Sequence, residues 1–456
     1  MFRTQLNRRE FIRVGTGVTA LGAASRVVQL QPYASASAQP LPAPGDGLRF
    51  ASIGTGVRGC EDLTTAISCG AEMVAACDLY DARLTAAQEH AGKTLATTKR
   101  YRDILDRQDI NFVIVATPDH WHSRIVEDAC AAGKDVYCEK PMTHHVEEGF
   151  EIIDAVRKHN RIIQIGSQRR SSVLYQKARE IYQSGSLGLV TAVEAWIDRN
   201  DASGAWEYPV PPGANENTID WKTFLGDAPK RPFDAARFFR WRAFRDYGEG
   251  LPGDLFVHLL TGIYTITGIE GPPRRALSTG GLFRWKYSGR DAPDVLETFY
   301  EFPAFRVMVR CNQCNDSGSD LVRVFGTQAT LEVAERGVTF SPQDTTPQPE
   351  TYSTESWPAK LREEYLKQWY QEHPGPAPGA FKLKPDSVTY RAPDDTDQPD
   401  LEHMTNFLNA VRSRQPANED AEFGNWTAIA CHMANYSYFN KTVAVWDDAS
   451  KRLKGA

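Results

Sequence analysis

Lys140 stands in Tyr137-Cys138-Glu139-Lys140-Pro141, where an apolar run with the character of a buried strand is cut short by a charged pair and a proline. Upstream lies Gly54-Thr55-Gly56-Val57-Arg58-Gly59, with the G-x-G-x-x-G spacing of a dinucleotide loop. A lysine at the end of a sheet strand, in a domain that opens with such a loop, can aim an ammonium at the reacting end of a nicotinamide. Downstream, Asp254 and His258 are four apart. On a helix over 254–266 they share a face, and one can orient the other. Oxidising a secondary alcohol needs a base for the hydroxyl proton, and an imidazole titrates in the right range. Lys140 can hold the same oxygen and stabilise developing alkoxide charge. Taken singly, His258 is more simply a satisfied helix histidine and Lys140 a surface lysine. The set of three behind a cofactor loop favours catalysis.

The loop glycines have separate tasks. Gly54 permits the tight turn, Gly56 lets backbone approach a pyrophosphate, and Gly59 lets the following helix pack close to the sheet. The helix N-terminus offers free N–H groups to the anion. Asp78 closes an apolar run roughly 20 residues on. A carboxylate there accepts from both ribose hydroxyls and repels a 2′-phosphate, so NAD is favoured over NADP. Arg83 keeps NADP open. Thr117, Pro118, His120 and His122 follow a strand ending at Ala116, on the edge expected to face the nicotinamide ribose. A His120/His122 metal pair lacks further ligands, and no metal is expected. Trp121 is a candidate substrate contact from the same edge. Trp206, Trp241 and Arg242 could line a sugar site by stacking and charged hydrogen bonds, or equally be core and rim.

These elements need a particular frame. From 48 to 166, strand-like and helix-like segments alternate, which implies right-handed crossovers and a parallel sheet whose strand ends line one edge. From about 190 the rhythm changes to short strands over 190–197, 274–280, 296–302, 306–311, 321–325 and 329–333, joined mostly by short turns, as in an antiparallel sheet. Residues 341–399 are rich in Pro, Asp and Thr and suggest a surface insertion with one helix over 359–372. Helices are expected over 403–412 and 425–438.

Length, 456 residues, suits two domains, and a hydrophobic fraction of 41% with 24% charged residues suits globular ones. A net charge of −6 argues against a nucleic-acid binder. Asn7-Arg8-Arg9-Glu10-Phe11-Ile12-Arg13 precedes a weakly apolar stretch and two small-x-small sites ending at Ala36 and Ala38. That order resembles a twin-arginine export signal over 1–38, followed by a linker over 39–47. The apolar stretch is short and contains Arg26, so no stable membrane span is expected. Eight cysteines are too sparse for a disulfide scaffold, although Cys311 and Cys314 could pair.

The ordered set resembles the glucose–fructose oxidoreductase / inositol dehydrogenase (Gfo/Idh/MocA) family. It consists of Gly54 to Gly59, Cys77-Asp78, Ala116 to His122, Glu139-Lys140-Pro141, Gln164 to Arg170, Gly253-Asp254 and His258. The resemblance covers about 48–330 well and the last helices more loosely. It implies an α/β chain with an N-terminal Rossmann domain (48–168). An open-faced α/β domain (169–456) follows, with a large, predominantly antiparallel sheet that often mediates homo-oligomerisation, as dimer or tetramer. It implies that Lys140 contacts the nicotinamide and substrate, with Asp254 and His258 completing the catalytic group. It adds Glu139 and Gln168 to the cofactor contacts and Arg169 to the substrate side. The family's substrates are sugars, polyols and their derivatives. One departure is Thr261, where a third acidic residue is often found.

Three functions compete. The first is a sugar oxidoreductase with a tightly bound, internally recycled cofactor, since free NAD is not expected outside the cytoplasm. The second is a glycoside hydrolase that oxidises, eliminates and re-reduces; the threonine–histidine motif of that branch is not evident near Asp254. The third is a cofactor-binding protein without catalysis, against which the intact Lys/Asp/His set argues.

Overall fold

The computed structural model describes residues 26–29, 47–286, 289–374, 386–393 and 397–456. The twin-arginine pattern, both cleavage sites and most of the linker lie outside the described residues. Within the span expected to be a leader, β1 (Arg26–Gln29) is described as a strand.

Six parallel strands follow: β2 (Arg49–Ile53), β3 (Glu72–Cys77), β4 (Ala96–Thr98), β5 (Phe112–Val115), β6 (Asp135–Glu139) and β7 (Ile163–Gly166). Their spatial order is β4-β3-β2-β5-β6-β7. β5 and β6 are buried along their whole length, because helices cover both faces of the sheet. The chain leaves β2 toward β3 on one side and returns to β5 on the other. A crevice therefore opens beyond the carboxyl ends of β2 and β5, where such sheets bind ligands.

The second sheet is larger. β8 (Val190–Asp198), β9 (Arg275–Gly281), β10 (Val295–Glu301), β11 (Arg306–Asn312), β12 (Asp320–Gly326), β13 (Ala329–Ala334), β14 (Gly337–Pro342), β15 (Val388–Arg391), β16 (Ala444–Asp447) and β17 (Arg452–Gly455) join β1 in an eleven-stranded sheet. Most pairs are antiparallel, but β8 runs parallel to β11, and β1 parallel to β15. Along β11 and β12 burial alternates residue by residue, as expected for a sheet packed on one face. Its inner residues meet the helices Val173–Gln183, Val257–Thr267 and Ala421–Asn440 in one apolar cluster. The stretch 341–399 leaves the sheet after β14 and rejoins it at β15. Between them the helix Ala359–Glu372 has no buried residue.

The C-terminal chain does not stay with the second sheet. The helix Pro399–Ser413 lies against Val57–Ser68 and closes a face of the first sheet. Phe407 is fully buried there, edge-on to Phe112 at 5.2 Å and to Tyr137 at 5.7 Å. Cutting Phe407 to alanine should therefore cost about 3–5 kcal/mol of stability. Urea unfolding measures this; a loss under about 1 kcal/mol would show that the helix is not part of the N-terminal core.

Candidate active site

A cleft of about 1360 Å³ runs from the glycine loop, past the ends of β3, β5 and β6, to Arg199, Tyr208, Trp241, Arg242, Asp254 and His258 of the second domain. Gly54 has φ +89°, and a Cβ there would sit 2.5 Å from the Ala116 carbonyl oxygen. At Gly59 a Cβ would meet the Gly54 carbonyl oxygen at 2.2 Å. Gly59 thus does not line the cleft; it seats the helix.

Whether a dinucleotide fits can be judged from the groups left over. The helix Val57–Ser68 starts at Gly56 without a side-chain cap, so its first N–H groups suit a pyrophosphate. The nearest atom to a Cβ at Gly56 would be the Arg83 Cζ at 3.6 Å, so the loop leaves room. Asp78 accepts the Thr55 N–H at 2.8 Å and the Tyr80 N–H at 3.0 Å, which fixes the carboxylate and leaves lone pairs for ribose hydroxyls. Thr117 lines the cleft with a buried hydroxyl that has no hydrogen-bond partner among the described residues. The residues present fit the cofactor.

Arg58 and Glu139 line this cleft yet are largely committed to each other. Arg58 donates to Glu139 at 3.1 Å and to Asp400 at 2.7 Å, and lies 2.6 Å from Asp62. Glu139 also accepts from Gln168, 3.3 Å away. The cluster ties the cofactor loop to β6 and to the helix Pro399–Ser413.

His120 and His122 do not line the cleft. The His120 ring is held between the carbonyls of Phe224 (2.9 Å) and Tyr247 (3.3 Å). His122 bonds to Pro141 O at 2.8 Å and Thr117 O at 2.9 Å. Burial pushes both imidazoles down to about 4, and a neutral ring donates to only one of its two carbonyls, so each pins a loop through a single N–H rather than meeting the cofactor. Trp121 does line the cleft, with its indole N–H on Phe224 O at 3.0 Å.

Lys140 directly follows β6 and is joined to Pro141 by a cis peptide. Its Nζ donates to the Asp254 carboxylate at 3.0 Å and to the Asp254 carbonyl at 2.8 Å, leaving one donor free. Asp254 sits in a π-helical turn, Pro252–Phe256, that runs into the helix Val257–Thr267. Gly253 lets that turn approach: a Cβ would lie 2.4 Å from the Glu249 Cβ and 3.0 Å from the Pro141 ring. The Asp254 carboxylate also accepts the Trp206 indole N–H at 2.8 Å and the Arg242 Nε–H at 3.0 Å. Burial alone would raise its proton affinity. Lys140 and Arg242 outweigh burial and hold Asp254 far below the usual carboxylate range. Asp254 is a fixed anion that positions Lys140.

His258 lies one turn on and lines the cleft. Asp254 does not hydrogen-bond to it, because its carboxylate is taken by the other three side chains; the mutual orientation expected from their spacing is not formed. Burial, then the positive charges of Lys140 and Arg169, push the His258 imidazole well below its ordinary value. It is neutral at pH 7 and able to accept a proton.

The remaining candidates divide. Trp241 and Arg242 line the cleft, with Arg242 4.3 Å over the Trp241 ring. Trp206 does not. It is 1% exposed at φ +64°, a strained backbone that aims its N–H at Asp254. Arg169 donates to Tyr175 at 2.7 Å and pairs with Asp320, so it braces the second domain instead of meeting substrate. Thr261 is fully buried and away from the cleft. Cys311 and Cys314 are free thiols. Arg199 and Tyr208 were missed: they sit at the end of β8 and in the loop after it, where no periodicity marks them.

Because unfolded His258 protonates near 6.5 and the folded ring only below that, acid favours the unfolded chain and stability from this residue is lost as pH falls. NMR titration should find the His258 midpoint below 6.5, and Lys140→Met should raise it. A midpoint at or above 6.5 would contradict this electrostatic picture.

Comparison with known proteins agrees with the geometry. Residues 48–167 match the oxidoreductase family with an NAD-binding Rossmann fold (GFO_IDH_MocA), so the first domain is of the NAD-binding type. A glycosyl hydrolase family 109 protein of Shewanella baltica (strain OS155 / ATCC BAA-1091) is 31% identical over 173 residues, 34% of this chain and 37% of the relative. An inositol 2-dehydrogenase of Salmonella paratyphi B (strain ATCC BAA-1250 / SPB7) is 29% identical over 175 residues, 38% of this chain and 52% of the relative. The matches thus span about a third to a half of these curated relatives. The structure of a levoglucosan dehydrogenase in complex with NADH and levoglucosan superposes over 87% of this chain and 98% of its own, with TM-score 0.61 and 17% identity. At that identity it establishes the shared fold.

Proposed function

With residues 48–167 carrying the Rossmann domain of the Gfo/Idh/MocA oxidoreductases, we propose that this chain oxidises a secondary hydroxyl of a sugar, polyol or glycoside. The observation that carries the proposal is the pairing of Lys140 with Asp254 beside a neutral His258, at the far end of a dinucleotide cleft. NAD, when bound, supplies the acceptor for the hydride and its two electrons. His258 takes the hydroxyl proton, and the free donor of Lys140 stabilises the oxygen as the alcohol becomes a ketone. Asp254 keeps the ammonium aimed.

Packing of the second domain beside the cofactor groove supports a retained cofactor. Tyr80, next to Asp78, packs edge-on against Phe239 at 5.4 Å, and Arg83 lies 5.1 Å over the Phe238 ring. The second domain thereby packs against the segment that follows Asp78 at the edge of the groove. Together with the twin-arginine pattern, this favours export of a folded enzyme with NAD already bound. N-terminal sequencing of the mature protein should find a start just after Ala36 or Ala38; an intact leader on all exported protein would refute that route.

The hydrolase relative favours one second reading, in which the ketone acidifies a neighbouring C–H and an aglycone is eliminated before re-reduction. Release of nitrophenol from chromogenic glycosides separates the two: we expect reduced nicotinamide to accumulate with no release.

The direct test is the absorbance of purified protein near the reduced-nicotinamide band while sugars are added singly. One sugar class should make the band grow. Lys140→Ala should slow that response by about 10²-fold or more, with dinucleotide still bound. Unchanged turnover in the variant would remove Lys140 from the mechanism.

A further inference from the structure

Arg199 follows β8, and its side chain reaches the same cleft wall as Lys140, Arg242, Asp254 and His258. The Arg199 backbone N–H is bonded to Asn312 O at 2.7 Å, so the residue is anchored. Its guanidinium has no hydrogen bond or ion pair among the described residues. It is nonetheless close enough to contribute to holding Asp254 ionised and His258 neutral.

The charges at this end of the cleft do not balance. Lys140 and Arg242 share the single carboxylate of Asp254. Asp119, the next acid toward Arg242, is buried, with one oxygen accepting the Glu249 N–H at 2.9 Å, and burial raises its proton affinity; it does not line the cleft. Arg169 is matched by Asp320, and Glu139 by Arg58. Among the residues that line this end of the cleft, Lys140, Arg242 and Arg199 therefore face one carboxylate, Asp254, while Asp201, which accepts the Gly204 N–H, lies outside the lining. The cofactor does not correct this. Its pyrophosphate belongs at the glycine loop, at the opposite end, and an oxidised nicotinamide is itself cationic. A guanidinium is a planar fork suited to carboxylate or phosphate.

We propose that the cleft takes an anionic sugar, one bearing a carboxylate or a phosphate ester, and that Arg199 is the residue that selects it. The proposal rests on the oxidoreductase reading for its chemistry but on charge alone for its selectivity.

The test compares D-glucuronate, D-galacturonate and D-glucose 6-phosphate with D-glucose and D-galactose, using full-length protein with its cofactor bound. Isothermal titration reads affinity and cofactor reduction reads turnover. We expect at least one anionic sugar to bind about tenfold or more tightly than its neutral parent. Rising NaCl should erode that preference. Arg199→Gln should shrink the anionic-to-neutral ratio by about 10- to 100-fold, and Arg199→Lys should restore part of it. The uronates and the phosphate ester tell the two oxyanions apart. Neutral sugars bound as well as both anion types, or a ratio that Arg199→Gln leaves unchanged, would overturn the proposal. Tight anion binding without cofactor reduction would support the anion site and count against the oxidoreductase reading, so the two can fail separately.

Discussion

The ion pair between Lys140 and Asp254 joins the two halves of the molecule at the point where chemistry must occur. Lys140 follows a strand of the first sheet and Asp254 belongs to the second domain, and their side chains are only 10% and 16% exposed. A nearly buried pair gains little net stability, because desolvating two charges offsets much of their attraction. Losing one partner is far more costly, since the other remains buried and uncompensated. The pair is better understood as a registration device than as a stabiliser. It fixes one domain against the other, and much else near the cleft serves it: the π-helical turn, Gly253 against Pro141, and the strained Trp206 backbone whose indole occupies the second carboxylate oxygen.

From this constraint follows the division of labour among the titratable groups. Asp254, clamped by two cations and an indole, has no proton to exchange and acts by position. Among the described residues His258 has no carboxylate hydrogen-bonded to it, and it is buried in the field of several cations, so it stays neutral where a free imidazole would begin to charge. A weakened base beside a strengthened anion looks unfavourable for proton removal. It becomes favourable if the substrate hydroxyl is itself acidified by the Lys140 ammonium and by a positively charged cofactor ring. The same field that depresses His258 also prepares the site for negative charge.

The sequence made the chemistry-bearing positions legible where residue type and spacing coincide. The glycine loop, Asp78, Lys140, Asp254 and His258 all lie on the cleft or shape it, and the change from alternating helices to short strands near 190 marks the second sheet. Side-chain direction was not legible. His120 and His122 sit at the correct strand end, but backbone carbonyls turn their rings aside: Phe224 and Tyr247, far away in sequence, for His120, and Thr117 and Pro141 for His122. Trp206 and Arg169 have the composition of a sugar site and instead brace Asp254 and the second domain. The loop carrying Tyr208 has no periodicity to betray its role. The return of Pro399–Ser413 to the first domain likewise depends on long-range packing of Phe407, which no local pattern encodes.

Replacing Asp254 with asparagine tests the central claim most directly, because it removes the charge that orders Lys140 and keeps nearly the same shape. Single-turnover stopped-flow on the cofactor-loaded protein should show hydride transfer slowed by about 10²-fold or more, with NAD still bound and the fold intact. A transfer rate indistinguishable from that of the unaltered protein would mean that the ion pair between the domains does not organise the reaction.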